Sequence, residues 1–157
     1  MDDRETANAQ LEIKILALDA DLALPSPAMD GDAGMDLRAR TDVVLAPGGG
    51  RAVVAVGFAL ALPVGWAGFV LPRSGLASRH GVTVVNSPGL IDSGYRGEIM
   101  VPMINTDPLV PFTITRGDRI AQLVVLAVPV VRWIAVDDVA SLGDSDRRSG
   151  GFGHSGR

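Results

Sequence analysis

The sequence predicts an all-β domain, a sandwich or barrel of short strands with one short helix. Hydrophobic residues make up 47% of the 157 residues but aromatic residues only 4%, so valine, isoleucine, leucine and alanine must fill the core. β-Branched residues favour strands. The apolar residues occur in short runs separated by glycine and proline, and many short strands with closely spaced turns are typical of sandwiches and barrels.

The expected strands follow these apolar runs along the chain. Glycine and proline, which fix the backbone path of a turn, separate the runs at residues 47–50, 63–65, 88–89, 107–108 and 116–118. The strands are predicted at residues 11–18, 43–46, 51–62, 66–71, 82–85, 98–105, 110–115, 119–128 and 130–136.

One segment is predicted to be helical, residues 74–80, with Ser74 as its N-cap and Gly81 as its stop. The chain length fits a single domain, which we place at residues 11–136. Residues 1–10 are predicted to be a disordered leader. Residues 137–157, which are mostly Asp, Ser, Arg and Gly, are predicted to be a flexible C-terminal arm.

Composition argues against several classes of protein. The net charge of −4 is not that of a general nucleic-acid binder, which needs a basic surface. There is no cysteine, so disulfides and thiolate metal sites are excluded. No stretch approaches the roughly 18–20 uninterrupted apolar residues of a membrane span. The polar, acidic start is unlike a signal peptide. We therefore expect a cytoplasmic protein with no nucleic-acid or membrane partner.

The loop at residues 86–98 is the most informative segment for chemistry. It places one acid, Asp92, in a bend made by Pro88, Gly89 and Gly94, shortly before Tyr95, the only tyrosine of the chain. A carboxylate held beside apolar side chains and an aromatic ring suits general-base catalysis on a flat, partly polar substrate. The alternative is an ordinary hairpin with a solvated acid and a core tyrosine.

Three further segments are suited to binding phosphate. Arg73, Ser74 and Gly75 stand where the helix should begin, and the segment 116–122 combines a turn with two arginines and an amide. The last segment, 147–156, joins arginine and small hydrogen-bond donors to one aromatic residue, Phe152. A glycine-rich stretch can wrap phosphates with its backbone N–H groups. A terminus without any role is the alternative for this last segment.

These segments give the chain its resemblance to a known family, the homotrimeric dUTP pyrophosphatases (dUTPases), from about residue 11 onward. Any one of the family's five motifs is weak alone, whereas five in the right order and spacing are highly specific. They read AGMDLR at 33–38, PRSGLA at 72–77, GLIDSGYRGE at 89–98, RGDRIAQ at 116–122 and RRSGGFGHSG at 147–156.

The resemblance implies a distorted jelly-roll that hydrolyses dUTP to dUMP and pyrophosphate, which limits uracil incorporation into DNA and supplies dUMP for dTMP synthesis. Asp92 matches the acid that activates the attacking water, and Tyr95 the ring that leaves no room for a ribose 2′-hydroxyl. The hairpin that reads uracil matches residues 86–100, including Asn86, Leu90, Ile91 and Met100.

The remaining motifs imply contacts with the triphosphate. Asp36 matches an acid that touches Mg²⁺ through water only, the ion being held by the triphosphate. The family's active sites lie between subunits of the homotrimer, and the C-terminal arm reaches a neighbouring site. Arg73, Ser74, Gly75 and Gln122 match the phosphate cradle, Arg147 and Ser155 match γ-phosphate contacts, and Phe152 matches the ring that covers uracil.

Some positions depart from the family pattern. Met35 stands where a larger residue is usual, which is interpreted as structural. Arg148 and Ser149 replace a frequent Gly-Glu-like pair, so either Arg147 or Arg148 could serve the γ-phosphate, and alignment on the following glycines favours Arg147. His154 replaces a frequent serine, and its role stays open.

Two other functions are alternatives to dUTP hydrolysis. The related dCTP deaminases share the fold and the Ile-Asp-x-Gly core of the third motif, but they need a further acid near the base, and the chain offers none between Glu98 and Asp107. A non-enzymatic β-sandwich is the other alternative, because a fold does not fix a function. The two tryptophans, Trp66 and Trp133, are expected in the core or in subunit contacts.

Overall fold

The computed structural model describes residues 11–144, and within them the regular secondary structure is nearly all strand, as the sequence predicts. One α-helix, α1, spans Ser74–His80, and a single turn of 3-10 helix spans Ala140–Leu142. The strands are β1 (Lys14–Ala17), β2 (Met35–Arg38), β3 (Val43–Leu45), β4 (Gly50–Ala61), β5 (Trp66–Pro72), β6 (Val82–Val84), β7 (Gly89–Ile91), β8 (Glu98–Asn105), β9 (Phe112–Ile114) and β10 (Arg119–Ala127).

The strands form two four-stranded sheets and one two-stranded sheet, and all the strand pairs are antiparallel. The first sheet has the order β1-β4-β8-β6, the second β2-β10-β5-β7, and β3 pairs with β9. Sequence neighbours are often not sheet neighbours, because the chain crosses repeatedly between the two larger sheets. This arrangement is a sandwich of the jelly-roll kind.

A single hydrophobic core lies between the sheets. Phe58 and Met103 come from the first sheet and Leu37 and Leu123 from the second, and all four are at most 2% exposed. Ile114 of β9 joins the same cluster. Because all three sheets contribute to one cluster, the described chain folds as one unit.

The helix has the predicted bounds but not the predicted cap. Its N-cap is Arg73, which has an extended backbone and makes no side-chain capping hydrogen bond, so the prediction of Ser74 as the N-cap is wrong. Ser74 is instead the first helical residue. Gly81 ends the helix as predicted, with φ of 63° and its N–H donating to Ala77 O.

The strand predicted at residues 130–136 is absent. That segment has no strand or helix, and its apolar side chains face solvent, with Val130 91% exposed and Trp133 89% exposed. A strand requires a hydrogen-bonding partner, and none of the described strands pairs with this segment. The short strands β2 and β7 were not predicted. No helix among residues 11–144 is both long and apolar enough to cross a bilayer.

Candidate active site

The loop after β6 forms a cleft of about 210 Å³ that contains the predicted catalytic acid. Asp92 follows β7 directly and is exposed, and Tyr95 N–H donates to Asp92 O at 3.0 Å to close the turn between them. The cleft is lined by Val70, Asn86, Gly89, Leu90, Ile91, Asp92, Tyr95, Ile99, Met100 and Pro102.

Close packing around Gly89 shapes the floor of this cleft. A Cβ at Gly89 would lie 3.3 Å from Val70 Cβ, so an alanine would press on Val70, and it would be in ordinary contact with Asn86 Nδ2 at 3.5 Å. The Ser87–Pro88 peptide bond that precedes it is cis. The contact with Gly89 places the Asn86 amide beside the main chain of β7, at the wall of the cleft.

Tyr95 is not a core residue. Its ring is 43% exposed, and its hydroxyl donates to Glu98 O at 2.8 Å. Leu90 and Met100 are also large apolar side chains that remain exposed, at 60% and 44%. Exposed apolar groups gathered in one concave region are typical of a ligand-binding surface. The alternative interpretation was an ordinary hairpin with a solvated acid and a core tyrosine. Its placement of the tyrosine in the core is wrong.

A second cleft, of about 410 Å³, contains the predicted phosphate-binding residues. It lies where the end of β5, the start of α1 and the strands β2 and β10 come together. Its charged groups are three arginines and two aspartates. It is lined by Ala28, Asp32, Ala33, Gly34, Asp36, Arg73, Ser74, Gly75, Arg79, Arg119 and Gln122.

Ion pairs organise the charges of this second cleft. Arg73 Nε forms an ion pair with one carboxylate oxygen of Asp36 at 3.1 Å, and the other oxygen accepts a hydrogen bond from Arg119 Nη1 at 3.2 Å. Arg73 Nη1 also donates to Arg119 O at 3.3 Å. One carboxylate thus holds two guanidinium groups side by side, an arrangement that suits an anion with several oxygens.

Gln122 is fixed at the back of the same cleft. Its side-chain nitrogen donates to Pro72 O at 3.1 Å, and its oxygen lies against Gly34, where an added Cβ would be 2.6 Å from Oε1. Gln122 pairs with Asp36 across β10 and β2, which brings the first and fourth motifs together. Glycine at position 34 is therefore required for the close approach of the amide.

Similar proteins identify the family of this chain. A family model described as dUTPase matches residues 20–156. The chain belongs to the dUTPase family. A deoxyuridine 5'-triphosphate nucleotidohydrolase of Thermobifida fusca is 57% identical over 93% of this chain and 79% of its own length. One of Mycobacterium tuberculosis is 54% identical over 92% of this chain and 94% of its own length.

A solved structure is similar in fold. The dUTPase of Staphylococcus bacteriophage 80alpha with dUPNHPP superimposes with a TM-score of 0.85, at 25% identity, over 94% of this chain and all of its own. The predicted fold class, with its many short strands and single α-helix, is thereby confirmed.

The two clefts of this dUTPase-family chain divide the predicted site residues between them. Asn86, Leu90, Ile91, Asp92, Tyr95 and Met100 line the first, and Asp36, Arg73, Ser74, Gly75 and Gln122 line the second, with no residue in common. Arg147, Arg148, Phe152, His154 and Ser155 lie outside the described residues.

Of the arginines in the second cleft, Arg79 was not predicted, and Arg119 was predicted only as part of the phosphate-binding segment 116–122, with no role of its own. Arg79 lies one helical turn after Gly75, and its guanidinium is so close that a Cβ there would be 2.7 Å from Nη2. Strict alternation would put Arg119 and Gln122 on opposite faces of β10. A register shift between Arg119 and Ala121 reverses that alternation. The sequence could have indicated Arg79, because it stands one helical turn after Gly75 in the predicted helix. The bulge that brings Arg119 to the same face as Gln122 is not visible in the sequence.

Magnesium fits the donors of the second cleft only as an ion held mainly by substrate. Within residues 11–144 no group of three or more His, Cys, Asp or Glu side chains could hold a metal. Asp36 nevertheless supplies hard carboxylate oxygens, and Mg²⁺ typically takes one or two carboxylates together with phosphates and waters. The donor set is therefore compatible with a magnesium–triphosphate complex.

Proposed function

We propose that this protein hydrolyses dUTP to dUMP and pyrophosphate. The observation that carries the proposal is that Asp92 and Tyr95 lie together in a cleft with exposed apolar walls, in a chain of the dUTPase family. A second cleft supplies guanidinium groups for the phosphates. The name that the relatives share supports the same substrate.

Asp92 is the general base of the proposed reaction. Its carboxylate takes a proton from a water as the water oxygen attacks the α-phosphorus. A new P–O bond forms, the bond from that phosphorus to the bridging α–β oxygen breaks, and pyrophosphate leaves with the electron pair. The exposure of Asp92 at the end of β7 gives a water molecule access to it.

The first cleft selects the nucleoside. The Tyr95 ring lies under the deoxyribose and leaves no space for a 2′-hydroxyl. The Asn86 amide and nearby main-chain groups pair with the polar edge of uracil, while Leu90, Ile91 and Met100 contact its faces. Cytosine would leave these buried donors and acceptors unpaired, a mismatch that discriminates strongly.

The second cleft binds the triphosphate. Arg73 and Arg119, aligned by Asp36, face the phosphate oxygens, and Ser74, Gly75 and Gln122 complete the cradle. Bound magnesium supplies neutralisation of the charge that develops on the leaving pyrophosphate. Asp36 would hold that ion through the ion's water shell, and it orients the two arginines.

A homotrimer with sites between subunits accounts for two features of the single chain. The two clefts share no residue, so different subunits can contribute each half of one site. The apolar segment 130–136 faces solvent, and an exposed apolar surface of this kind marks a protein contact. The C-terminal arm then brings Arg147, Phe152 and Ser155 to a neighbouring site, where they cover the γ-phosphate and the base.

In the cell, this reaction limits uracil incorporation into DNA and provides dUMP for dTMP synthesis. A cytoplasmic location is part of the proposal.

A single assay tests the proposed function against its alternatives. The purified protein is incubated with Mg²⁺ and with dUTP, UTP, dCTP or dTTP in turn, and pyrophosphate and ammonia are measured. We expect pyrophosphate from dUTP far above the other three. Ammonia from dCTP would identify a deaminase instead, and no product from any nucleotide would favour a non-enzymatic β-sandwich.

A further inference from the structure

A glycine bulge interrupts the pairing of β4 with β8 next to the first cleft. The pairs run regularly to Ala55 and Met100, then shift, and resume at Ala59 and Glu98. Gly57 lies inside the shift with φ of 79°, and a Cβ there would be 3.1 Å from Leu22 Cδ2 and 3.2 Å from Asp19 Cβ. The bulge therefore requires glycine.

The Glu98 carboxylate takes the place of the missing strand partner at this bulge. Gly57 N–H donates to Glu98 Oε1 at 2.9 Å, and Arg40 Nη1 donates to both carboxylate oxygens at 3.2 Å. The side chain is only 22% exposed. Hydrogen bonds to an ionised group are stronger than neutral ones, so these contacts fix Glu98 firmly in the sheet.

The partner of Glu98 is itself held. Arg40 Nη2 donates to Leu18 O at 2.9 Å, and Arg40 Nε lies 3.5 Å from Asp19 Oδ2. Arg116, from the segment that leads into β10, pairs with the same Asp19 and donates to Arg40 O at 2.9 Å. The guanidinium that binds Glu98 is thus held by Leu18 O and Asp19, and the main chain of Arg40 is held by Arg116.

The main chain of Glu98 holds the ring of Tyr95. The Tyr95 hydroxyl donates to Glu98 O at 2.8 Å. Gly97 allows this contact, because a Cβ at that position would lie 2.5 Å from the hydroxyl oxygen. Glu98 therefore joins the sheet bulge through its carboxylate to the tyrosine ring through its carbonyl.

We propose that Glu98 is a positioning residue for Tyr95, and that its contacts with Gly57 and Arg40 set the discrimination between deoxyribose and ribose. The inference rests on the proposed function, since it concerns the sugar of dUTP. Glu98 does not touch the substrate. It acts by fixing its own carbonyl oxygen, which accepts the hydrogen bond from the Tyr95 hydroxyl. The position of that oxygen in turn sets the distance between the Tyr95 ring and the sugar.

Two variants of Glu98 separate positioning from simple stability. Glu98→Gln keeps an oxygen for Gly57 N–H but loses the charge that binds Arg40, and Glu98→Ala loses both contacts. The matched control is Glu12→Ala, which removes an exposed carboxylate far along the chain from the bulge. If Glu98→Ala fails to fold, Glu98→Gln, which has nearly the same shape, still decides the matter.

The first measurement does not depend on activity. Because Tyr95 is the only tyrosine, incorporation of 3-fluorotyrosine gives a single ¹⁹F resonance that reports its ring. We expect Glu98→Gln to shift or broaden that resonance and Glu98→Ala to do so more, while Glu12→Ala leaves it unchanged. Unchanged resonances in folded Glu98 variants would overturn the inference.

The second measurement is the ratio of kcat/KM for dUTP to that for UTP. The loss of a positioning hydrogen bond should narrow this ratio about three- to tenfold in Glu98→Ala, and less in Glu98→Gln. In a Tyr95→Phe background, which lacks the hydroxyl, the Glu98 variants should change the ratio no further. An unchanged ratio, even with a shifted resonance, would overturn the inference.

The two measurements also distinguish this inference from the proposed function. Failure of the wild-type protein to release pyrophosphate from dUTP would reject the proposed function, and with it the role in sugar discrimination. An active wild-type protein whose Glu98 variants keep both the resonance and the ratio would reject the positioning role alone.

Discussion

At the scale of single residues, two carboxylates of the candidate site have different surroundings. Asp36 is paired with Arg73 and Arg119, which hold its negative charge in place. Asp92 lies exposed after β7, where a water molecule can reach it. The surroundings therefore favour an orienting role for the first acid and a proton-accepting role for the second.

The Asp92→Asn variant tests this assignment. We expect it to keep the fold and nucleotide binding but to lose turnover by a factor on the order of 10²–10⁴, because an amide cannot accept the proton of the water. Steady-state release of pyrophosphate measures the loss. The control is Glu12→Gln, which alters an exposed acid and should be fully active. Near-normal turnover in Asp92→Asn would contradict the general-base role.

A second residue-level prediction concerns Asp19. The hydrogen bond from Arg116 lowers the pKa of Asp19 from its usual 3.8 to about 2. A lowered pKa in the folded state stabilises the fold above the unfolded pKa, and that contribution disappears as the pH falls from about 4 to 2. Asp19→Asn should therefore lower the thermal midpoint at pH 6, with a difference from wild type that shrinks toward pH 2.

The control for this prediction is Asp30→Asn, which changes the net charge equally at an exposed loop position. A midpoint difference for Asp19→Asn that stays constant from pH 6 to pH 2 would mean that the ion pair with Arg116 contributes nothing to the pH dependence.

At the scale of elements, the sequence predicted every long strand and most of the short ones, but it missed β2 and β7. Strand β8 was predicted from a nearly continuous apolar run, and in the structure every second residue from Ile99 is buried. Strands β2 and β7 have only four and three residues, and their pairing with β10 and β5 decides that they are strands. Such pairing depends on tertiary structure, which no local pattern contains.

Helix α1 shows which of its two ends the sequence could determine. Gly81 was recognised as the stop because glycine is favoured in the left-handed conformation that ends a helix. Ser74 was a reasonable N-cap by residue type, but the chain leaves β5 in an extended conformation that continues through Arg73. The path of the preceding strand, not the capping preference, set the first residue of the helix.

Gly81→Ala is the element-level prediction. An alanine at φ of 63° is strained, and its Cβ would lie 2.8 Å from Thr106 Oγ1 and 3.2 Å from Asp107 N. Gly48→Ala is the matched control, since Gly48 has φ of 70° with no atom within 4 Å of the added carbon. Left-handed strain alone costs about 1–2 kcal/mol, so Gly48→Ala should lose about that much unfolding free energy and Gly81→Ala clearly more. Equal losses in urea denaturation would contradict the clash.

At the scale of the whole molecule, the sequence predicted many of the residues that line the two clefts but not how they are grouped. The motif resemblance pointed to candidate residues in both clefts, although not to Arg79. The resemblance could not show that the first and second clefts are separate in one chain, because that depends on how the two sheets pack. The residues of the last motif stay a sequence-based prediction, as do the trimer and the cytoplasmic location.

The exposed segment 130–136 gives a prediction about assembly. Trp133 was expected either in the core or in a subunit contact. It is 89% exposed in the single chain, so the core location is wrong and the subunit contact is the prediction to test. Removing a buried interface tryptophan costs about 2 kcal/mol or more. Trp133→Ser should therefore shift trimer dissociation to higher protein concentration, measured by sedimentation equilibrium. Met29→Ser, which changes a side chain that is 73% exposed, should leave trimer dissociation unchanged. Equal dissociation of the two variants would contradict a subunit contact at Trp133.

The C-terminal arm gives the final prediction. A chain that ends after Asp146 should assemble as a trimer with unchanged thermal stability, because the deleted residues bring little apolar surface to a core. It should lose most activity, since Arg147, Phe152 and Ser155 would no longer cover the base and the γ-phosphate. Phe152→Ala should reproduce part of that loss through poorer exclusion of water.

Subunit mixing then tests whether the arm crosses between subunits. The shortened chain, with Asp92 intact, is exchanged with a full-length Asp92→Asn chain, and native mass spectrometry establishes that mixed trimers form. In those trimers an arm from the Asp92→Asn subunit can close over a site that has a working Asp92, so activity should exceed that of either parent. As the control, a shortened Asp92→Asn chain mixed with the full-length variant should stay inactive. Mixed trimers without gain of activity would mean that each arm serves only a site containing its own Asp92.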